Sequence, residues 1–347
     1  MITDDAVLDR GAITAWMDER GLGSGELGAF RPLAGGTQNV MVMFTRAGQS
    51  YVLRRGPRHL RPRSNQNILR EIRMLGALAS TDVPHPRLIA SCAREDLLHG
   101  AVFYLMEPVD GFNAAVGLPP AWERDGQVHW SMGLAMADAL ASLGTVDYEQ
   151  AGLTGFGKPD GFLERQVTRW MGELDSFSAL AGYEGPQLGG IEQIATWLES
   201  NRPRSWTPGI LHGDYHVANV MFGYRVPEVT AIVDWEMSTI GDPVLDLGSL
   251  LAVWPQADGE DDLIGSALAR LGGLPPETDL VAKYAERSVR DLSAIDWYVV
   301  LGCFKLGIIL EGTYARARAG QADTATGDRL HTTSLRLFDR ARRRIAG

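Results

Sequence analysis

Cysteine is nearly absent: Cys92 and Cys303 are the only two in 347 residues. They lie far apart, and neither has a Cys or His neighbour at metal-ligand spacing, so the sequence offers no disulfide framework and no zinc site. Cys303 lies inside "VVLGCFKLGIIL" and reads as a small buried apolar side chain. No uninterrupted apolar run reaches the roughly 18 to 20 residues that a spanning helix requires. The first residues, "MITDDAVLDR", are acidic where a secretory signal would be basic, so the expected compartment is the cytoplasm. Positive charge is also short: 33 Lys and Arg face 43 Asp and Glu, a formal net charge of −10. That balance disfavours nucleic acid and anionic membranes as partners and suits small cationic molecules.

Apolar residues are plentiful, at 45% of the chain with 9 Trp and 10 Phe, enough to bury one or two cores. The length suggests two domains. "DDAVLDRGAITAWMDERG" has helical spacing and a terminal Gly. Short β-rich segments follow at 28–34, 39–46 and 50–55, then a helix at about 65–80, then strands in "RLIASC" and "AVFYLMEPV". Beyond about 110 helices dominate, near 126–145, 160–178, 188–200, 242–254, 261–271 and 278–318. Only 209–212, 220–222 and 229–234 look extended there. The expected class is α+β in two lobes, a small β-rich one over 1–107 and a larger helical one over 108–347.

Chemistry concentrates in "LHGDYHVAN" at 211–219 and "AIVDWE" at 231–236. Asp214 precedes Asn219 by five positions and Asn219 precedes Asp234 by fifteen. Phosphoryl transfer needs a carboxylate to orient and deprotonate the attacking hydroxyl, plus oxygen ligands that hold Mg²⁺ against nucleotide phosphates. A two-metal hydrolase reading of His212, Asp214 and His216 lacks the further ligands such a site requires, since no "GNH" or "H-x-H" occurs downstream. His212 reads as a structural ring bonded to backbone. His216 reads as a solvated loop histidine or, less simply, as a group near the substrate.

These motifs resemble those of the aminoglycoside phosphotransferase and choline kinase-like family, whose loop is H-G-D-x-x-x-x-N followed by a strand ending in D-W or D-F. The chain looks closest to the bacterial branch associated with acyl-CoA dehydrogenases, through "GDPVLDLG" and "FKLGIILEGTYARARAG". The resemblance implies a protein kinase-like two-lobe fold and an enzyme using ATP, with GTP as the alternative, and Mg²⁺. It makes Asp214 the catalytic base and Asn219 and Asp234 the metal ligands. It places Gly35 and Gly36 over the phosphates, Arg54 as their cation, Glu71 as its partner, and the backbone of Glu107 and Val109 against adenine. Arg54 stands where many members have Lys, which substitutes a planar fork for a point charge.

The acceptor stays open between an aminoglycoside-like sugar and a hydroxyacyl-CoA type compound, and the rival reading is a nucleotide-binding pseudokinase with a regulatory role. Asp242 and Asp246 read as helix caps and anchors rather than substrate contacts. Seven arginines against one glutamate between Arg54 and Arg73 read as a solvated face, or as a surface for an anionic substrate. The closing "RLFDRARRRIAG" reads as an amphipathic helix with its basic face in water. Oligomeric state leaves no mark in the sequence.

Overall fold

The computed structural model describes residues 8–33, 39–256, 263 and 265–347. The chain divides into two compact units, one of 1–110, 149–153 and 230–236, the other of 111–148, 154–229 and 237–347.

In the first unit, α1 (Arg10–Glu19) starts where the Asp9 carboxylate accepts the Ala12 N–H at 2.9 Å. Its buried stripe is Ile13, Trp16 and Met17. The strands β1 (Arg31–Pro32), β2 (Val40–Arg46) and β3 (Gln49–Arg55) follow, then α2 (Ser64–Leu78), β4 (Leu88–Cys92) and β5 (Phe103–Met106). They form one antiparallel sheet in the order β1-β2-β3-β5-β4. Ala47 and Gly48, both at positive φ, make the two-residue turn that suits a twisted hairpin between β2 and β3. Val40, Val42 and Phe44 face the core at strand period, and Phe44 stacks on Tyr51 at 5.6 Å. Arg46 shares that buried side, where it ion-pairs with Asp18 of α1. Removal of each such large apolar side chain from water contributes about 1.5–3 kcal/mol.

The division expected at 107/108 would leave 230–236 with the helical domain, whereas this segment groups with the first unit. Ile232 N–H donates to Pro84 C=O at 2.8 Å, which draws the segment there.

The second unit begins with β6 (Phe112–Asn113), α3 (Gly126–Thr145), α4 (Gln166–Ser176) and α5 (Ile191–Ser200). Next come β7 (Gly209–Leu211), β8 (Val220–Phe222), β9 (Val229–Ile232), which runs on into the first unit, and β10 (Thr239–Gly241). The helices α6 (Val244–Val253), α7 (Ala267–Leu271), α8 (Glu277–Ala285), α9 (Ile295–Arg318) and α10 (Thr324–Ala346) complete the chain. β7 pairs with β10 and β6 with β8, both antiparallel. The helix expected over 278–318 is two helices, α8 and α9. Between them Ser288 Oγ accepts the Arg290 N–H and Asp291 accepts the Ser293 N–H, local bonds that compete with helical ones.

Gly248 of α6 and Gly302 of α9 let these helices pack at backbone distance. A Cβ at Gly248 would lie 2.5 Å from Tyr298 backbone. The basic face of α10 is not all in water: buried Arg340 donates to Trp254 C=O and to Glu277, and Arg344 pairs with Glu277 and Asp296. Among the described residues no helix is long and apolar enough to cross a membrane.

Candidate active site

The first unit assembles a charged cluster on β3, α2, β5 and the end of the 230–236 segment. Arg54 and Tyr104 are register partners across β3 and β5, so both side chains stand on one face of the sheet. Glu71 of α2, 1% exposed, meets both: Arg54 Nη2 donates to Oε1 at 2.8 Å and Tyr104 O–H to Oε2 at 3.0 Å. The same Nη2 donates to Asp234 Oδ1 at 2.7 Å. Burial raises the Glu71 carboxyl, and Arg54 opposes that rise. Burial would lower the Arg54 guanidinium, but Glu71 and Asp234 outweigh it, so the cation is held fully charged.

Two features mark this cluster as more than a structural ion pair. Arg54 Nε is buried without an acceptor, a donor left over for an anion such as a phosphate oxygen. Asp234 adopts φ +67°, a left-handed conformation that costs a non-glycine residue about 1–2 kcal/mol. Carboxylate oxygens of Glu71, Asp234 and Glu236 lie within 4.8 Å of one another, and such a hard-oxygen set suits Mg²⁺. Glu236 escaped the sequence reasoning, although its place two residues after Asp234 in "DWE" was the available signal.

The expected adenine contacts belong to the same unit. Glu107 N–H is spent on Arg87 C=O at 2.9 Å, which leaves its carbonyl as the group for a ligand. Among the described residues nothing engages the Val109 N–H. Gly35 and Gly36 lie outside the described residues.

The second unit holds the loop that follows β7. Gly213 adopts φ +84°, and a Cβ there would sit 2.4 Å from Met237 C=O, so only glycine fits the turn. Asp246, in the first turn of α6, accepts His212 N–H at 2.6 Å and Gly213 N–H at 2.9 Å. Lys305 of α9 donates to Gly213 C=O. Carboxylate and ammonium therefore hold the peptide from both sides, and Asp214 follows directly. Asp246 thus anchors this loop, where the sequence suggested a cap for its own helix; Asp242 accepts Val244 N–H, at the start of α6, at 3.1 Å and the Tyr298 hydroxyl.

Asp214 Oδ2 accepts from Asn219 Nδ2 at 3.0 Å, and the same amide reaches the Asp214 carbonyl at 2.8 Å. With its amide nitrogen so committed, Asn219 has Oδ1 as its remaining side-chain acceptor. His212 Nδ1 accepts the Asp214 N–H at 3.3 Å. His216 Nδ1 accepts from Ala218 N–H, and its Nε2 lies 3.5 Å from Asp214 Oδ2. Burial pushes the Asp214 carboxyl up, but His216, then Lys305 and His212, overcome this and hold it well below the usual carboxylate range. Lys305 also escaped the sequence reasoning; its signal was a lone cation inside an apolar helical run.

Residues 29–293 match the phosphotransferase enzyme family. The chain is 32% identical over 295 residues to rat acyl-CoA dehydrogenase family member 11, covering 82% of this chain and 36% of that protein. It is 29% identical over 302 residues to mouse acyl-CoA dehydrogenase family member 10, covering 84% and 27%. The chain therefore spans only about a third of these relatives' length. A Ralstonia eutropha structure described as a candidate aminoglycoside phosphotransferase superposes with a TM-score of 0.79 at 29% identity, covering 96% of this chain and 98% of that one. The aminoglycoside phosphotransferase APH(4)-Ia, in ternary complex with ADP and hygromycin B, shares the fold alone, with a TM-score of 0.58 at 13% identity over 97% and 99% of the two chains. With its α+β, protein kinase-like fold and its H-G-D-x-x-x-x-N loop, this chain belongs to the phosphotransferase enzyme family.

Proposed function

We propose that the protein transfers the γ-phosphoryl group of ATP to a hydroxyl of a small molecule in the presence of Mg²⁺. The observation that carries this reading is the Asp214 carboxylate, kept ionised and aimed by Asn219 on a loop clamped by Asp246 and Lys305. In the reaction an acceptor O–P bond forms, the bond from Pγ to the ADP oxygen breaks, and the hydroxyl proton passes to Asp214. A carboxylate held so acidic is a weak base. That suits a loose phosphoryl transition state, in which orientation of the hydroxyl matters more than early proton removal.

Asp234 and Glu236 would be metal ligands in the first unit, and Asn219 Oδ1 would be a metal ligand in the second. Bound Mg²⁺ supplies neutralisation of the phosphate charge. Arg54, with its spare Nε, would take a phosphate oxygen once nucleotide competes for it. The Glu107 carbonyl and the Val109 N–H would receive adenine, and Gly35 and Gly36 would cover the phosphates. Because several relatives are acyl-CoA dehydrogenase family members, hydroxyacyl-CoA compounds stand beside aminoglycosides as acceptors, in the cytoplasm.

The test is an ATP-consumption assay with hydroxy acids, their CoA thioesters, sugars and aminoglycosides, repeated with GTP. Acceptor-dependent turnover that needs Mg²⁺ supports the reading. Nucleotide binding without turnover on any acceptor would support the pseudokinase instead.

A further inference from the structure

Lys305 is the unusual residue of the second unit. Its side chain is over nine-tenths buried, yet its ammonium has one hydrogen-bond acceptor among the described residues, Gly213 C=O. No carboxylate oxygen of the described residues comes within salt-bridge distance of it. Both oxygens of Asp246 are committed to backbone N–H groups, and Asp214 is engaged by Asn219 and His216. A buried ammonium with unspent N–H groups is costly, so the native molecule normally supplies an oxygen for it.

The space beside Lys305 shows where that oxygen could come from. A cleft of about 40 Å³ opens there, lined by Gly213, Trp170, Arg169, Phe162 and Met237 among others. About one probe sphere suffices for a water, so the cleft is large enough for a carboxyl group. Arg169 stands exposed at the rim, with its guanidinium 4.8 Å from the Trp170 ring centroid; Lys305 Nζ lies 5.9 Å from the same centroid. Arg169 makes no ion pair among the described residues. Burial, and to a lesser degree Arg169, disfavours the charged form of Lys305 against the opposing pull of Asp246 and Asp214, and an anion between the two cations would relieve both effects.

We propose that this cleft is the acceptor's acyl-oxygen subsite. It takes the carboxylate of a hydroxy acid, or the carbonyl of its thioester, on Lys305 at the floor and Arg169 at the rim. The hydroxyl of the same molecule is thereby set against Asp214, one residue beyond Gly213. The assignment rests on the phosphotransfer reading and deepens it by naming the acceptor class. Asp246 and Asp214 act on Lys305 electrostatically but do not line the cleft, so a polycationic acceptor would meet Lys305 and Arg169 as repulsive charges at this point.

The experiment measures kcat/KM for hydroxybutyrate isomers, their CoA thioesters, the corresponding butanediols and an aminoglycoside, with wild-type enzyme, Arg169→Gln and Lys305→Met. The wild type should prefer the acid or thioester to the diol. Arg169→Gln should shrink that ratio by roughly 10- to 100-fold, mainly through KM, as expected for loss of a charged hydrogen bond. The free acid should suffer more than the thioester if the natural ligand is a carboxylate, and the two alike if it is a carbonyl. Equal use of acid and diol by the wild type, or an unchanged ratio in Arg169→Gln, overturns the subsite. If Lys305→Met does not fold, Arg169→Gln still decides, because its side chain is exposed. If the wild type phosphorylates nothing, the phosphotransfer reading fails first; calorimetric titration of hydroxybutyrate and its thioester then decides the subsite, which falls if wild type and Arg169→Gln bind alike.

Discussion

Asp246→Ala is the most informative single perturbation of the fold around the loop. The carboxylate accepts two buried backbone N–H groups, from His212 at 2.6 Å and Gly213 at 2.9 Å, and is itself 1% exposed. Truncation leaves both donors dry and removes the negative charge nearest in effect to Lys305, for which Asp246 is the leading compensating charge. Unsatisfied buried donors cost about 1–3 kcal/mol each, and breaking a buried charged network about 3–5 kcal/mol. Because these figures overlap, the expected total is about 3–5 kcal/mol. That is a large share of a native stability on the order of 5–15 kcal/mol.

Asp246→Asn keeps one acceptor oxygen and should cost about half as much. Urea unfolding followed by circular dichroism measures this as a lowered midpoint at unchanged slope. Turnover should fall in both variants, because Gly213 positions Asp214. If Asp246→Ala unfolded within about 0.5 kcal/mol of wild type and kept its kcat, the clamp would carry no energy and the reasoning would be wrong.

Other expectations follow from the same contacts. Arg54→Met should destabilise by about 3–5 kcal/mol by stranding Glu71, and the double variant Arg54→Met with Glu71→Gln should recover much of that in a double-mutant cycle; strict additivity would refute the pairing. Asp234→Asn and Glu236→Gln should each raise the Mg²⁺ concentration for half-maximal turnover roughly tenfold or more, and an unmoved titration for Glu236→Gln would remove it from the metal site. The Asp214 carboxyl is held below its ordinary value, so its contribution to stability is complete above the unfolded value of about 3.9 and lost as pH falls toward the folded one. Between pH 5 and 8, kcat/KM should therefore show no limb that disappears in Asp214→Asn. Burial pushes the Cys303 thiol up to about 12 and also raises Cys92, so iodoacetamide at pH 8 should label the native protein far more slowly than the urea-unfolded chain.

Much of this was readable from local signals. The periodicity at 126–145 and 65–80 and the β-rich run at 39–46 are near-neighbour patterns, and they survive as α3, α2 and β2. The spacing of Asp214 and Asn219 was equally legible because one short loop carries both, and the structure joins them directly. What was hidden depended on contacts distant in sequence. Asp246 reads locally as a cap, whereas its carboxylate holds residues 34 and 33 positions away. Lys305 meets Gly213 across 92 residues, so the lone cation in "CFKLG" signals an unusual side chain but not its partner. Arg340 and Arg344 read as water-facing in the sequence because their partners, Glu277 and Asp296, lie on other helices. The split of 278–318 turned on Ser288 and Asp291, whose bonds to nearby backbone compete with a helical pattern that otherwise runs through them.

The most direct measurement is transfer of label from γ-labelled ATP to an acceptor hydroxyl, compared between wild type and Asp214→Asn at saturating Mg²⁺. A labelled acceptor whose rate of formation falls by about 10²–10⁴-fold in the variant is the expected result. Equal rates in the two proteins would contradict the role given to Asp214.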